Sequence, residues 1–323
     1  MDKKYDVVAM GELLIDFTMN GKSEQGNPLF EANPGGAPCN VLAILKKYGK
    51  ETGFIGKVGS DQFGQMLKGT LEEVGIDTAG LVMDAGYNTT LAFVHTAEDG
   101  DRTFSFYRKP GADMMLAEGE INYEMIDNTK IFHFGTLSMT DNPAREATKA
   151  AVAYAKAHGK LISFDPNLRP PLWENLADAK EAIAYGLEIA DIVKIADNEI
   201  EFMTGKSDMN EAIEVLTAQY DIKLLLVTLG KDGSVAIYNK ERVFVPGFIQ
   251  ENTIETTGAG DTFTGCMLNT VLEKGLSCLT KEDIRQMLLF ANGGASLITT
   301  RRGALKVMPG KKEIEDLLGY TKE

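Results

Sequence analysis

The chain has 323 residues, 44% of them hydrophobic, which allows a sizeable core and argues against disorder. Acids outnumber bases 47 to 33, for a formal net charge of -14 with no visible basic face, so a nucleic-acid-binding role is excluded. Three cysteines (Cys39, Cys266 and Cys278), a polar-interrupted N-terminus and no apolar run of the roughly 18 residues a membrane span needs predict a cytoplasmic protein without disulfides or a membrane anchor.

In chain order, strands are expected over Tyr5–Met10 and Leu13–Phe17. Val41, Leu42, Leu45 and Tyr48 then fall at helical spacing, with Gly49 as a stop. A strand over 52–59 precedes a helix with Phe63, Met66, Leu67, Leu71 and Val74 on one face. Short apolar runs follow at 130–135, 160–165, 191–195 and 223–229, as in buried parallel strands. Helical stretches at Asn142–His158, Asn175–Ile189 and Asn198–Gln219 separate them. This βαβ series predicts a mostly parallel sheet with helices on both faces. Two segments break the rhythm, at about 13–32 and 88–109. The second reads as a hairpin, Thr89–His95 and Arg102–Arg108 around a turn at Glu98–Asp101. Both are expected to form a small separate β-sheet acting as a lid on a single domain spanning 1–323.

Chemistry concentrates late in the chain, in "ETTGAGDTFTG" (255–265). Phe263, Met267, Thr270 and Val271 share a helical face, so a helix begins near Gly260. Gly258 and Gly260 leave backbone amides uncovered at its N-terminus, where an anion binds. A carboxylate at Asp261 suits a base that takes a proton from an attacking hydroxyl; the alternative is an ordinary N-capped glycine turn. Other motif readings fail. "TGKS" (204–207) has Ile200 where a phosphate loop needs glycine, and "GAGDTF" has Phe263 at the third glycine of a dinucleotide fingerprint. His95, His133 and His158 stand at no metal-ligand spacing, and no Gly-x-Ser-x-Gly elbow occurs.

"NPGGAPCNVLAIL" (33–45), "DPNLR" (165–169), "NEIE" (198–201), "VTLGKDG" (227–233) and "ETTGAGDTFTG" occur in one order along the chain. Together they resemble the ribokinase-like carbohydrate kinases, or phosphofructokinase-B family. "FSFYRKPGADMML" and "FDPNLRPPLWEN" are most similar to its fructokinases. The resemblance implies a three-layer α/β/α fold with a mostly parallel central sheet and a small β-sheet lid. It implies phosphoryl transfer from ATP to fructose; another sugar or sugar acid, such as ribose or 2-keto-3-deoxygluconate, is the alternative, and a non-catalytic sugar binder is a third reading. It assigns Asp261 as base and Gly258, Ala259 and Gly260 as anion hole. Asp16, Gly35, Gly36, Asn40, Arg108 and Asn167 are assigned to the sugar. Arg169, Lys194, Asn198, Thr228, Gly230, Gly233 and Asn292 are assigned to the nucleotide. Glu201 is expected to hold Mg²⁺ through water. Glu255 stands where relatives carry Asp beside a monovalent-cation site, so weakened dependence on K⁺ is expected. The aromatic lid strand (Phe104, Phe106, Tyr107) suggests a homodimer through the lid.

Overall fold

In the computed structural model, residues 4–96 and 102–319 are described, and the alternating pattern folds in chain order. The first part runs β1 (Tyr5–Met10), β2 (Leu14–Lys22), β3 (Pro28–Gly35), α1 (Ala37–Lys47), β4 (Thr52–Gly59), α2 (Gln62–Val74), β5 (Asp77–Asp84), β6 (Leu91–Thr96) and β7 (Arg102–Tyr107). The middle runs α3 (Tyr123–Asp127), β8 (Thr129–Gly135), α4 (Ala144–Ala157), β9 (Leu161–Asp165), α5 (Leu176–Ile189), β10 (Ile192–Ala196), α6 (Asp197–Thr204) and α7 (Met209–Gln219). The last part runs β11 (Leu224–Thr228), β12 (Ser234–Tyr238), β13 (Glu241–Val245), α8 (Ala259–Lys274), α9 (Lys281–Ile298) and α10 (Lys311–Leu317).

Nine strands form the large sheet in the order β13-β12-β11-β10-β9-β8-β1-β4-β5. It is parallel except where β12 and β13 add an antiparallel edge. Each central strand feeds a core on both faces, which is why these strands read as unbroken apolar runs. Val7 and Ala9 of β1 join one core with α1, α2, α8, α9 and α10. Val8 and Met10 join the other, with α3 to α7. The three-layer expectation therefore holds.

β2, β3, β6 and β7 form a second sheet, in the order β3-β2-β6-β7. Its strands alternate, as a sheet with two different faces must. Asp16, Thr18, Asn33, Val94 and Phe106 look inward to a cleft. On the other face Phe17 stacks on Phe93 at 4.8 Å, and Phe30 and Tyr107 meet Phe93 edge-on. The expected turn at Glu98–Asp101 lies outside the described residues.

Three expectations need correction. The helix expected over Asn198–Gln219 is two helices, because Gly205 takes a left-handed φ of 69° and Asp208 caps a new start. β6 begins at Leu91 rather than Thr89, whose N–H and hydroxyl both donate to Asp61. Strands β5, β12 and β13 were not foreseen.

α8 and α1 pack closely through Gly265, where an added Cβ would lie 2.0 Å from Ile44 Cγ2 and 3.1 Å from the Val41 carbonyl oxygen. Gly265→Ala should therefore force the two helices apart and lower stability by about 1–3 kcal/mol. Chemical denaturation of the purified variant measures this; unchanged stability would show that the contact relaxes freely.

Candidate active site

The parallel strands deliver their C-terminal ends to one cleft of about 600 Å³. Such ends are where open α/β sheets bind ligands. Glu12 follows β1, Asn167 follows β9, Ala196 ends β10 and Thr228 ends β11, and all four line the cleft. The N-terminus of α8 forms the floor and the small sheet the roof.

Gly258, in the left-handed region at φ 77°, turns the chain into α8, and a Cβ there would meet Ala304 at 2.8 Å. The Ala259 N–H donates to the Thr256 carbonyl at 3.2 Å, closing the turn. A helix leaves its first amides without intrahelical acceptors, and at α8 these include the Gly260 and Asp261 N–H groups. Asp261 Oδ2 accepts from Asn40 Nδ2 at 2.8 Å. The Asn40 Oδ1 is buried with no hydrogen-bond partner among the described residues. A buried acceptor left open costs stability unless something fills it, so it is placed for a ligand's donor.

Loss of solvent pushes the Asp261 carboxyl up to about 6; the Asn40 bond, Lys194 and Arg169 oppose this, and Asp165 adds to it. Asp16, on β2, is pushed up to about 7, again first by desolvation, with Glu255 and Asp261 adding and Arg169 opposing. Gly35 and Gly36 let the β3–α1 turn approach these acids. A Cβ on Gly35 would lie 2.4 Å from Asp16 Oδ2, and one on Gly36 2.4 Å from the Glu12 carbonyl.

Beside the α8 N-terminus, Lys194 Nζ lies 3.1 Å from Asp165 Oδ2, and 3.0 Å from where a Gly260 Cβ would stand. Burial works to lower its pKa, yet Asp165, Glu199 and Asp261 raise it on balance, so it is a firm cation against the first turn. Asn167 sits at φ 46° and donates its N–H to Asp165 Oδ1 at 3.2 Å. Arg169 lines the cleft from an exposed position. At the far end Thr228, Gly230 and Gly233 edge the cleft, and Asn198 lies on its exposed rim. Asn292 also lines it, but its amide is engaged: Nδ2 donates to the Val245 and Pro246 carbonyls and Oδ1 accepts from Ser234. It shapes the wall.

Two assigned residues are placed elsewhere. Arg108 is buried at the root of β7, its guanidinium donating to Asp113, Thr140 and the Leu137 carbonyl, and it does not line the cleft. Glu201 is exposed and accepts from Ser207 at 2.8 Å. Residues two apart on a helix point to nearly opposite sides, and of these two acids it is Glu199 that is buried and lines the cleft. Its carboxylate accepts from the Leu168 N–H at 2.7 Å and the Ala196 N–H at 2.8 Å, tying β10 to the loop after β9. Glu at the third position of a helix directly after a strand is a capping signal that could have found it. Glu12 was also missed; its carboxylate accepts from the Ala37 N–H at 2.8 Å, and burial pushes it up to about 7. Glu255 lines the cleft with one oxygen accepting from the Gly303 N–H at 2.7 Å.

The pfkB family carbohydrate kinase profile matches residues 4–310. "Probable fructokinase-2" of Arabidopsis thaliana is 40% identical over 95% of this chain and 94% of its own. Among solved structures, a fructokinase with bound ATP from Xylella fastidiosa superposes with a TM-score of 0.88 at 33% identity, covering 99% of this chain and 100% of its own. A fructokinase double mutant from Vibrio cholerae O395, in a form bound to fructose, ADP and potassium ion, gives a TM-score of 0.86 at 29% identity, covering 98% and 99%. With the family profile covering residues 4–310 and relatives matching along nearly all its length, the chain belongs to the pfkB family of carbohydrate kinases.

Proposed function

We propose that the protein is an ATP-dependent fructokinase that phosphorylates the 6-hydroxyl of D-fructose. The observation that carries this reading is the pair Asp261 and Asn40. It sets a carboxylate of raised pKa and an open buried acceptor beside the α8 N-terminus. The relatives named fructokinase supply the choice of sugar. Asp16 and Asn40 receive sugar hydroxyls, since a carboxylate and an amide oxygen between them accept several donors. Asp261 orients the attacking hydroxyl and takes its proton. Phosphoryl transfer is largely dissociative, so a weak base serves. The α8 amides and Lys194 hold the charge that develops on the moving phosphoryl group. Thr228, Gly230 and Gly233 border the base and ribose end.

Mg²⁺ fits the donor set at the phosphate end. An ion that keeps most of its waters needs few protein oxygens, and the exposed Asp197 lines the cleft beside Glu199, whose two oxygens the Leu168 and Ala196 amides hold. Bound there it would neutralise phosphate charge. A monovalent cation fits near Glu255, whose second oxygen has no bond to Gly303. Among the described residues no helix is long and apolar enough to cross a membrane, and a cytoplasmic location is part of the proposal. So is a homodimer through the outer lid face, where Tyr107 is 66% and Met19 52% exposed.

A panel of sugars with ATP consumption as readout tests the activity. Fructose should be turned over best, and turnover of a pentose or keto acid but no hexose would reject the assignment. Asp261→Asn should lower kcat by about 10²–10⁴ while leaving ATP binding intact. Asp261 is a base whose pKa is raised, so it gains its proton as pH falls through that value. Turnover should therefore decline on an acid limb between about 6 and 7, the values of Asp261 and Asp16; a flat profile down to pH 5 contradicts this.

The extra methylene of Glu255 moves its carboxylate while backbone carbonyls stay in place, so K⁺ dependence should be weaker than in Glu255→Asp. Turnover at constant ionic strength, with K⁺ replaced by a bulky ammonium ion, compares the two; equal collapse in both would discard the idea. Tyr107→Lys should shift the mass in solution from dimer to monomer, read by sedimentation, and a monomeric parent protein would end the dimer proposal.

A further inference from the structure

Arg108 directly follows strand β7 and is almost wholly buried, as is Asp113 a few residues on. The Arg108 Nε and Nη2 both meet Asp113 Oδ2 at 2.7 Å, a forked pairing that only a guanidinium makes. The other Asp113 oxygen accepts from the Thr90 hydroxyl, and Thr90 directly precedes β6. One carboxylate thus ties together the roots of both strands of the lid hairpin. Arg108 carries the tie into the core, donating from Nη1 to Thr140 at 2.9 Å and from Nη2 to the Leu137 carbonyl at 2.8 Å.

The residues that shape the sugar end stand on this assembly. Phe106 lies two residues before Arg108, on the strand face that looks into the cleft, and Val94 lines the cleft from β6. Leu137 lines it from the core side. The β6–β7 register pairs Leu91 with Tyr107 and Ala92 with Phe106, so rotation at either root carries both cleft-facing side chains with it. The nucleotide end is built separately, on β11, β12 and α9, where Asn292 ties α9 to Ser234 and to the Val245 and Pro246 carbonyls.

We infer that Arg108 and Asp113 are positioning residues for the sugar end of the site, holding the lid hairpin at the angle at which Val94 and Phe106 close over the substrate. The inference rests on the sugar-kinase reading above. A buried ion pair could serve stability alone, and the two roles separate in kinetics. A structural pair moves the thermal midpoint; a positioning pair also moves the sugar KM and leaves the nucleotide end alone.

The test is steady-state kinetics of the full chain as Arg108→Gln, Arg108→Lys and Asp113→Asn, with the thermal midpoint recorded for each. Arg108→Gln and Asp113→Asn should raise the KM for sugar at least tenfold while the KM for ATP and kcat stay within threefold. Arg108→Lys, which keeps the charge and loses the fork, should fall between. The fraction of ATP hydrolysed without sugar phosphorylation should rise, because a loosely held lid admits water. A sugar KM within twofold of the parent protein, or a rise matched by the KM for ATP, would overturn the inference. Should neither glutamine nor asparagine variant fold, Thr90→Val decides. It removes one hydroxyl from Asp113 and should raise the sugar KM about threefold, and an unchanged value overturns the proposal. The measurement uses whichever sugar the parent protein turns over best. Failure on fructose would therefore remove the choice of sugar and leave this inference standing.

Discussion

The interaction on which the site depends is the hydrogen bond from Asn40 to Asp261 across the α1–α8 contact. A base for phosphoryl transfer has to sit close to a phosphate-binding helix end without repelling phosphate or being locked in its ionised form. Burial raises the carboxyl, and the Asn40 donor and Lys194 hold it from rising further, to about 6. That balance requires α1 and α8 to lie close along their length. Gly265 allows the approach against Val41 and Ile44, and Gly258 turns the chain so that α8 starts beneath the cleft. The same α1 begins at the glycine pair against which Asp16 rests, so the partner of Asp261 and the contact with Asp16 share one rigid element.

Much of this was legible in the sequence because each part has a local cause. Both-face burial writes apolar runs into the central strands, and the helix after Gly258 announces itself by spacing. The positions named in the glycine loop, the first signature and "DPNLR" all reach one cleft. What was not legible depends on direction rather than residue type. Glu199 and Glu201 are both acids on one short helix, and only the helical phase sends Glu199 inward. Arg108 looked like a ligand because arginine binds anions, yet its charge is met by Asp113, a partner that sequence cannot distinguish from a solvated loop acid. The β12–β13 edge was missed because a hairpin at the end of a parallel series breaks the period that identified the rest.

On the proposed function, the charge of the cleft favours a nucleotide that arrives with a divalent ion. Among the described residues its walls carry the acids Glu12, Asp16, Asp197, Glu199, Glu255 and Asp261, against Lys194 and Arg169. A polyphosphate approaching such a wall meets more repulsion than two cations and one helix end offset. Part of the excess is removed within the protein: Glu12 and Asp16 are pushed up to about 7 and are partly neutral at physiological pH. Glu199 is satisfied by two backbone amides and Glu255 by one, so each stays compensated in place. In the proposed function a divalent ion on the phosphates would offset the negative charge that remains. On the proposed function, an acidic cleft of this kind would favour metal-loaded nucleotide over the bare polyanion.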